Sequence, residues 1–178
     1  MAFIRWMALC ASAVLGLLLT PTVSQAQCDR ACTMIETLLS DRFENFARFD
    51  SGRIVDGLRA PTVVIRGFDV CDFNSVGDSD GGDIPDFKCL VQNSDTSTNA
   101  ILASKFTAAC MAIQEAVSAT HPDWTWYTNA NATELDVGPS KDHYVIRLFY
   151  LLGTPAIEIL SSPVHWTAPA QPSNAPCG

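Results

Sequence analysis

The sequence predicts an α+β fold in which two helices pack on one face of a mainly antiparallel, disulfide-stapled sheet. The stretch from Tyr144 to Leu160 contains two apolar runs on either side of Gly153-Thr154-Pro155. Both runs are rich in β-branched or aromatic residues, which is typical of two buried strands joined as a hairpin. Residues 28–48 and 100–120 instead repeat apolar side chains every three or four positions, which indicates amphipathic helices.

The N-terminal segment has the features of a secretory signal peptide. Arg5 is the only charged residue in positions 1–26, and an apolar run extends from Ala8 to Leu19. Small residues follow at positions 24 and 26. The apolar run is too short to span a bilayer comfortably. We therefore expect cleavage after Ala26 and a mature protein that is periplasmic or secreted.

The rest of the chain has the length of a single domain. Removing 26 of the 178 residues leaves 152, carrying 10 basic and 19 acidic side chains. We expect one α+β domain over residues 27–163 and a C-terminal tail over 164–178, which Cys177 ties back to the body. The acidic balance argues against binding to nucleic acid or to anionic lipid. Without a second apolar run of membrane-spanning length, the mature chain is not expected to span a membrane.

The first half of the mature chain is expected to contain one helix, two strands and a long loop. The helix at 28–48 is followed by a β-branched run, Thr62–Phe68, which predicts a strand. Residues Asp72–Asp86 are polar, rich in Gly and Asp, and lack an apolar period, so we expect a surface loop there. The apolar pattern resumes at Phe87–Gln92 and predicts the second strand.

The second half is expected to contain one helix and several strands. Helix 100–120 should end at His121, because the residue before Pro122 is disfavoured in a helix. Trp124–Thr128 and Thr133–Val137 are weaker strand candidates that precede the central hairpin.

Six cysteines remain outside the signal peptide, an even number that is typical of disulfide bonds in an exported chain. A bond between the ends of the predicted loop would contribute about 3 kcal/mol in the chain-entropy model. A bond between two cysteines four residues apart in one helix would be strained. The expected pairs are Cys71 with Cys89, Cys32 with Cys110, and Cys28 with Cys177.

Four aspartates lie close together in the expected loop, namely Asp78, Asp80, Asp83 and Asp86. Carboxylates among turn-forming glycines provide the oxygen ligands that Ca²⁺ prefers. With its D-x-D start, the run resembles the calcium loops of EF-hands and thrombospondin type 3 repeats. It departs from them at Gly82, where a third acid is expected, and at Cys89, where a bidentate Glu is expected. A solvated acidic loop and a weak Ca²⁺ site are the two alternatives.

An aromatic group forms a candidate binding surface, consisting of Trp124, Trp126, Tyr127 and Trp166. The alternation of a strand places Trp124 and Trp126 on one face. If that face is exposed, it can hold a sugar ring, an apolar ligand or a protein partner. The alternative, which we favour, is that these side chains close the core under the second helix.

Catalytic motifs are weakly represented. The histidines at 121, 143 and 165 are not accompanied by a G-x-S-x-G motif, and every mature cysteine is expected to be paired. Arg147 interrupts the apolar run of the hairpin. It is expected either to mark an exposed face or to pair across the hairpin with Glu158, whose alternation suggests a solvent-facing position.

These features favour a small exported protein of binding or inhibitor type, without enzymatic activity, that acts on a protein or small-molecule partner. No cofactor is expected, except for Ca²⁺ if the acidic loop binds it. One alternative is a small envelope hydrolase that uses a His with an Asp or Glu, for which His143 is the residue to test. The other is a structural envelope protein whose acidic loop takes Ca²⁺.

Overall fold

The structure is a computed structural model that describes residues 30–77, 81–92, 98–128, 133–140, 142–165, 171–173 and 177. The expected signal peptide, residues 1–26, lies outside the described residues. Cys28, Asp78, Asp80 and Trp166 also lie outside them.

The described residues form two helices, two short 3₁₀ turns and nine strands. The helices are α1 (Arg30–Asp41) and α2 (Asn99–Thr120), and the 3₁₀ turns cover Arg42–Glu44 and Ala47–Phe49. The strands are β1 (Asp50–Val55), β2 (Leu58–Pro61), β3 (Val70–Gly77), β4 (Asp83–Leu90), β5 (Thr125–Thr128), β6 (Glu134–Gly138), β7 (His143–Leu151), β8 (Thr154–His165) and β9 (Gln171–Pro172).

The strands form one sheet in the order β1-β2-β3-β4-β8-β7-β6-β5-β9, and each described pair of neighbours is antiparallel. Between β4 and β8, which lie side by side, the chain passes through α2 and three further strands. This arrangement confirms the predicted α+β class and the mainly antiparallel sheet.

The central hairpin is formed by β7 and β8, as predicted. Its turn consists of Leu152 and Gly153, which have positive φ values of 51° and 85°. Two consecutive positive φ values are characteristic of the two-residue turn whose twist matches that of a hairpin. The turn therefore comes one residue earlier than expected, and Thr154 and Pro155 already belong to β8.

The helices differ from the prediction mainly at the end of α1. Helix α1 ends at Asp41 rather than near Arg48, because Asn45 and Phe46 adopt left-handed conformations that an α-helix does not accommodate. Helix α2 begins after Thr98, whose side chain accepts a hydrogen bond from the N–H of Ile101 at 3.3 Å. It ends at Thr120, with His121 as its C-cap, as the following proline predicts.

The predictions for the segment between the helices are wrong at two points. The expected strand at Thr62–Phe68 is irregular, although it buries Ile65 and Phe68. The expected loop at Asp72–Asp86 is largely occupied by β3 and β4. In β3, buried Cys71 and Phe73 alternate with polar residues, and this period of two outweighs the high content of Asp and Gly.

Alternation also creates an apolar face on the sheet. Five buried side chains are successive cross-strand partners from β3 to β6, namely Phe73, Phe87, Ile159, Ile146 and Val137. The buried residues of α1 and α2 belong to the same continuous core as this row. Helix α1 packs against α2, and α2 contacts β7 and β8. The core thus joins both helices to the middle of the sheet.

Two disulfide bonds connect described residues. Cys71 and Cys89 are cross-strand partners in β3 and β4 and are bonded, with Cα atoms 4.0 Å apart, which agrees with the predicted pair. Cys110 in α2 is bonded to Cys177, with Cα atoms 5.6 Å apart. The predicted pairs Cys32–Cys110 and Cys28–Cys177 are therefore wrong. Cys32 is also disulfide-bonded.

The tertiary structure brings the C-terminal tail to α2, which the sequence pattern did not indicate. Strand β9 adds to β5, and the N–H of Ser173 donates to the carbonyl of Trp126 at 2.9 Å.

The disulfide bonds Cys71–Cys89 and Cys110–Cys177 are consistent with an oxidising compartment outside the cytoplasm.

Among the described residues, α2 is long and apolar enough to cross a membrane by length and composition alone. The expectation that the mature chain holds no run of this kind is corrected here. One side of α2 contributes Cys110, Ile113 and Val117 to the core, while Met111 on another side is 60% exposed. Core helices of folded domains share this composition.

Candidate functional site

A row of charged side chains crosses the face of the sheet opposite the apolar row. Its members are cross-strand partners in β3, β4, β8, β7 and β6, namely Asp72, Lys88, Glu158, Arg147 and Asp136. Side chains of cross-strand partners lie on the same face of a sheet. Signs alternate along these five residues, which we call the charged row, so each cation lies between two carboxylates.

The part of the row near β4 contains more carboxylates than cations. Lys88 Nζ lies 3.2 Å from Glu158 Oε1. Glu158 is buried, so the prediction that it faces solvent is wrong. Asp86, two positions before Lys88, is 0% exposed, and neither of its carboxylate oxygens has a hydrogen-bond partner among the described residues. Burial and the nearby charge of Glu158 raise the pKa of Asp86 to about 7.

Asp72 adds a third carboxylate to this part of the row. Burial raises its pKa, Lys88 opposes that rise, and Glu158 adds to it. When all three carboxylates are ionised, Lys88 is the one cation among the described residues that forms an ion pair with any of them, and Asp86 has no hydrogen-bond donor there. A proton on Asp86 gives this carboxyl an O–H group, which can donate a hydrogen bond to Glu158. We call Asp72, Asp86, Lys88 and Glu158 the lysine cluster.

The part of the row near β6 is organised around Arg147. Its Nε lies 3.0 Å from Asp136 Oδ1 and 3.0 Å from Glu134 Oε1, and its guanidinium lies 4.1 Å from the centroid of the Tyr144 ring. Of the two expectations for Arg147, an exposed face or a pair with Glu158, neither describes this cluster: Glu158 is the neighbour of Arg147 in the register but pairs with Lys88. We call Arg147, Asp136 and Glu134 the arginine cluster.

Burial of Asp136 competes with its ion pair. Its side chain is inaccessible, and burial raises its pKa to about 8, although Arg147 lowers it. Burial of the Tyr144 side chain raises its own pKa to about 12. Two buried carboxyls on this face of the sheet, Asp86 and Asp136, therefore have pKa values raised towards neutral pH. Two surface depressions, one beside Leu152 and one beside Met34, are lined by no member of the row.

The predicted calcium residues are placed only in part by the structure. Asp83 and Asp86 both lie on β4, but an odd spacing along a strand puts them on opposite faces. Asp83 is exposed, whereas Asp86 belongs to the lysine cluster. The described part of the chain holds no group of three or more potential metal ligands. Because Asp78 and Asp80 lie outside it, the calcium site stays a prediction.

The described members of the predicted aromatic surface are divided between the two faces of the sheet. Trp124 and Trp126 are half-buried and pack against the hydrophobic core. This placement agrees with the alternative in which these two side chains help to close the core. Tyr127 is buried and is the cross-strand partner of Asp136, so it extends the charged row on the other face. The fourth residue, Trp166, lies outside the described residues.

The histidines are in two places. His121 stacks on Trp124 with ring centroids 4.1 Å apart, and burial, together with nearby Arg42, lowers its pKa. His143 and His165 are cross-strand partners at the far end of the central hairpin.

The edge of the sheet carries an exposed apolar hairpin that the sequence reasoning missed. Strands β1 and β2 are joined by Asp56 and Gly57, with φ values of 51° and 85°. Ile54, Val55 and Leu58 flank this turn and are 64%, 47% and 38% exposed. The signal was present, because an Asp-Gly pair between apolar residues predicts a two-residue hairpin turn. We call Asp50–Pro61 the edge hairpin.

Comparisons with protein-family models, curated proteins and solved structures find no match for this chain. The function must therefore be inferred from the geometry of these surfaces.

Proposed function

We propose that this chain is a small exported protein, periplasmic or secreted, that binds another protein through its edge hairpin and does no catalysis of its own. The observation that carries the proposal is the exposure of Ile54, Val55 and Leu58 together at the free end of the sheet. Val55 and Leu58 are cross-strand partners on one face of the hairpin and Ile54 lies on the other, so apolar side chains flank the free edge on both faces. Exposed apolar side chains that cluster in this way commonly mark a protein-binding surface.

The backbone of the edge hairpin supports a short strand-to-strand contact. Strand β1 is the first strand in the described sheet order, so no described strand covers its outer edge. Val55 and Leu58 close the two-residue turn, and in an antiparallel ladder the N–H and C=O of Ile54 then point away from β2. A partner strand can pair with these groups.

The remainder of β1 is protected against longer pairing. The side chain of Asp50 accepts a hydrogen bond from the N–H of Gly52 at 2.8 Å, and Ser51 Oγ accepts one from the N–H of Arg53 at 3.2 Å. The register also shifts between Asp50 and Arg53. Such irregularities limit pairing along an edge. The apolar side chains at the turn are therefore expected to supply most of the binding energy.

The other side of the molecule suits a supporting role. We infer that α1 and α2 cover the apolar face of the sheet, since their buried residues share one core with it. The disulfide bonds then hold β3 to β4 and the C-terminal tail to α2. A rigid body of this kind keeps the edge hairpin in a binding-ready conformation and reduces the ordering cost of association.

The proposal is tested by cross-linking in the exported fraction of the native cells, comparing wild type with Ile54→Asp. Wild type should yield a cross-linked heteromeric species, and Ile54→Asp should lose it while its melting temperature stays unchanged. Met111→Asp is the matched control, because Met111 is similarly exposed but lies on α2. A cross-linked species that persists in Ile54→Asp, or that both variants lose equally, would refute the edge hairpin as the binding surface.

A further inference from the structure

A pair of imidazoles lies on neighbouring strands, away from the edge hairpin. His143 begins β7 and His165 ends β8, and the two residues are partners in the register. Their ring centroids are 4.2 Å apart, with the ring planes tilted by 40°. His143 is half-buried and His165 is exposed, so solvent reaches the pair. Two ring systems are therefore presented together at an accessible end of the hairpin.

The backbone around His143 is held firmly. The N–H of His143 donates to the carbonyl of Ser140 at 3.3 Å, which closes a tight turn before β7. Gly138 of β6 approaches the backbone of His143 and Tyr144 so closely that any side chain at position 138 would clash with it. A glycine is needed wherever two backbones approach this closely. The position of the first imidazole is thus set by two neighbouring segments.

One nitrogen of His143 already has a partner. Ser140 Oγ lies 3.1 Å from Nδ1 of His143, and the same hydroxyl accepts a hydrogen bond from the N–H of Asp142 at 3.4 Å. When Nδ1 donates its proton to Oγ, the lone pair of the ring is on Nε2. Histidines that bind metal ions commonly make such a bond with their other nitrogen, which orients the ring.

We propose that His143 and His165 form a two-imidazole site for a divalent cation of borderline softness, Zn²⁺ or Cu²⁺, with Ser140 as the residue that orients His143. Imidazole nitrogen is a preferred ligand of both ions. Two nitrogens that bind Zn²⁺ at about 2.0–2.1 Å in a tetrahedral arrangement lie about 3.3 Å apart. In such a site the two ring centroids lie about 5 Å apart, so the rings, whose centroids are 4.2 Å apart, must separate by about 1 Å when the ion binds, which the exposed side chain of His165 permits.

The site takes two ligands from the described residues, which hold no group of three or more potential metal ligands. Water molecules or a bound partner then complete the coordination, as in sites that keep open positions. The net charge of −8 favours the approach of a cation. This site is independent of the edge hairpin, so either proposal can fail without affecting the other.

The test is a calorimetric titration of the disulfide-bonded protein, prepared without a histidine tag, with Zn²⁺ alone. Wild type should bind one equivalent, and His143→Ala and His165→Ala should each abolish that binding. Ser140→Ala should weaken it by about 10-fold, because the imidazole loses its orienting hydrogen bond. His121→Ala is the control and should bind as wild type does, because His121 stacks on Trp124 elsewhere in the structure.

Absence of Zn²⁺ binding to wild type would overturn the proposal. So would an affinity that His143→Ala leaves unchanged, since that result would show adventitious binding elsewhere on the acidic surface. The histidine ring signals in NMR spectra provide a second readout. On Zn²⁺ addition, the signals of His143 and His165 should move and that of His121 should not, and any other pattern would contradict the assignment.

Discussion

The lysine cluster and the arginine cluster lie on one face of one sheet, but they satisfy their carboxylates differently. In the arginine cluster, Nε of Arg147 lies 3.0 Å from both Asp136 and Glu134. In the lysine cluster, Lys88 has one close carboxylate partner, Glu158, while the completely buried Asp86 has no hydrogen-bond donor in the part of the chain that the structure describes. A planar guanidinium on one strand can therefore serve two acids, whereas a single ammonium leaves one acid to be neutralised by a proton.

The largest expected effect is in the arginine cluster. Replacing Arg147→Met leaves Asp136 buried without a cation, which should reduce the free energy of unfolding by about 3–5 kcal/mol. Urea denaturation at pH 9 measures this, because Asp136, with a pKa of about 8, is then ionised in the wild type. Arg53→Met on exposed β1 is the control and should change stability by less than about 0.5 kcal/mol.

If Arg147→Met does not fold at pH 9, the double variant Arg147→Met/Asp136→Asn tests the same point. Without a carboxylate at position 136, the missing cation has little consequence, so the double variant should be more stable than Arg147→Met. A double variant that is no more stable than the single one would show that Arg147 acts through packing rather than charge.

The second-largest expected effect is in the lysine cluster, where the substitution should raise rather than lower the free energy of unfolding. The raised pKa of Asp86 means that the native state keeps a proton that the unfolded chain releases. The stability that this proton supplies is complete below about pH 4 and is lost as the pH rises through about 7. Asp86→Asn removes this dependence and should raise the free energy of unfolding at pH 8 by about 2–3 kcal/mol.

Urea denaturation of wild type and Asp86→Asn at pH 4 and pH 8 measures the difference. The gain in the free energy of unfolding should be near zero at pH 4, where position 86 is uncharged in the native state of both the wild type and the variant. Asp83→Asn is the matched control, because Asp83 lies on the same strand but on the opposite, exposed side. A gain that is equal at both pH values, or that Asp83→Asn also produces, would contradict the buried-proton interpretation.

The smallest effect concerns Asp72, at the outer end of the charged row. Asp72 is only half-buried, and its negative charge helps to raise the pKa of Asp86. Asp72→Asn should therefore raise stability at pH 8 by at most about 1 kcal/mol. It should also move the midpoint of the stability-versus-pH curve to lower pH, since the proton on Asp86 is then held less tightly. A midpoint that moves upward would disprove the coupling of these two carboxyls.

The sequence predicted the elements with strong local patterns. The β7–β8 hairpin, helix α2 with its end at His121, and strands β5 and β6 all appear close to the expected positions. These elements combine a clear apolar period with recognisable end signals, so local physics suffices to place them. The Cys71–Cys89 bond could also be predicted from the sequence, because the two cysteines flank a single polar segment.

The charged row was not predictable in the same way. The sequence predicts a solvent-facing Glu158, and for Arg147 either an exposed face or a pair with Glu158. In the structure Lys88 pairs with Glu158 and Asp136 pairs with Arg147. These contacts depend on β4 lying beside β8 and β6 beside β7. The order of strands results from long-range packing, which a window of neighbouring residues does not contain.

Local periodicity and turn chemistry by themselves therefore specified most of the helices and strands. The pairing of Cys110 with Cys177, the meeting of His143 with His165 and the burial of Asp86 emerged only in the folded chain. The physical reason is that propensity and period act between near neighbours along the chain. Burial, ion pairing and disulfide formation act between residues that the sheet brings together from distant positions.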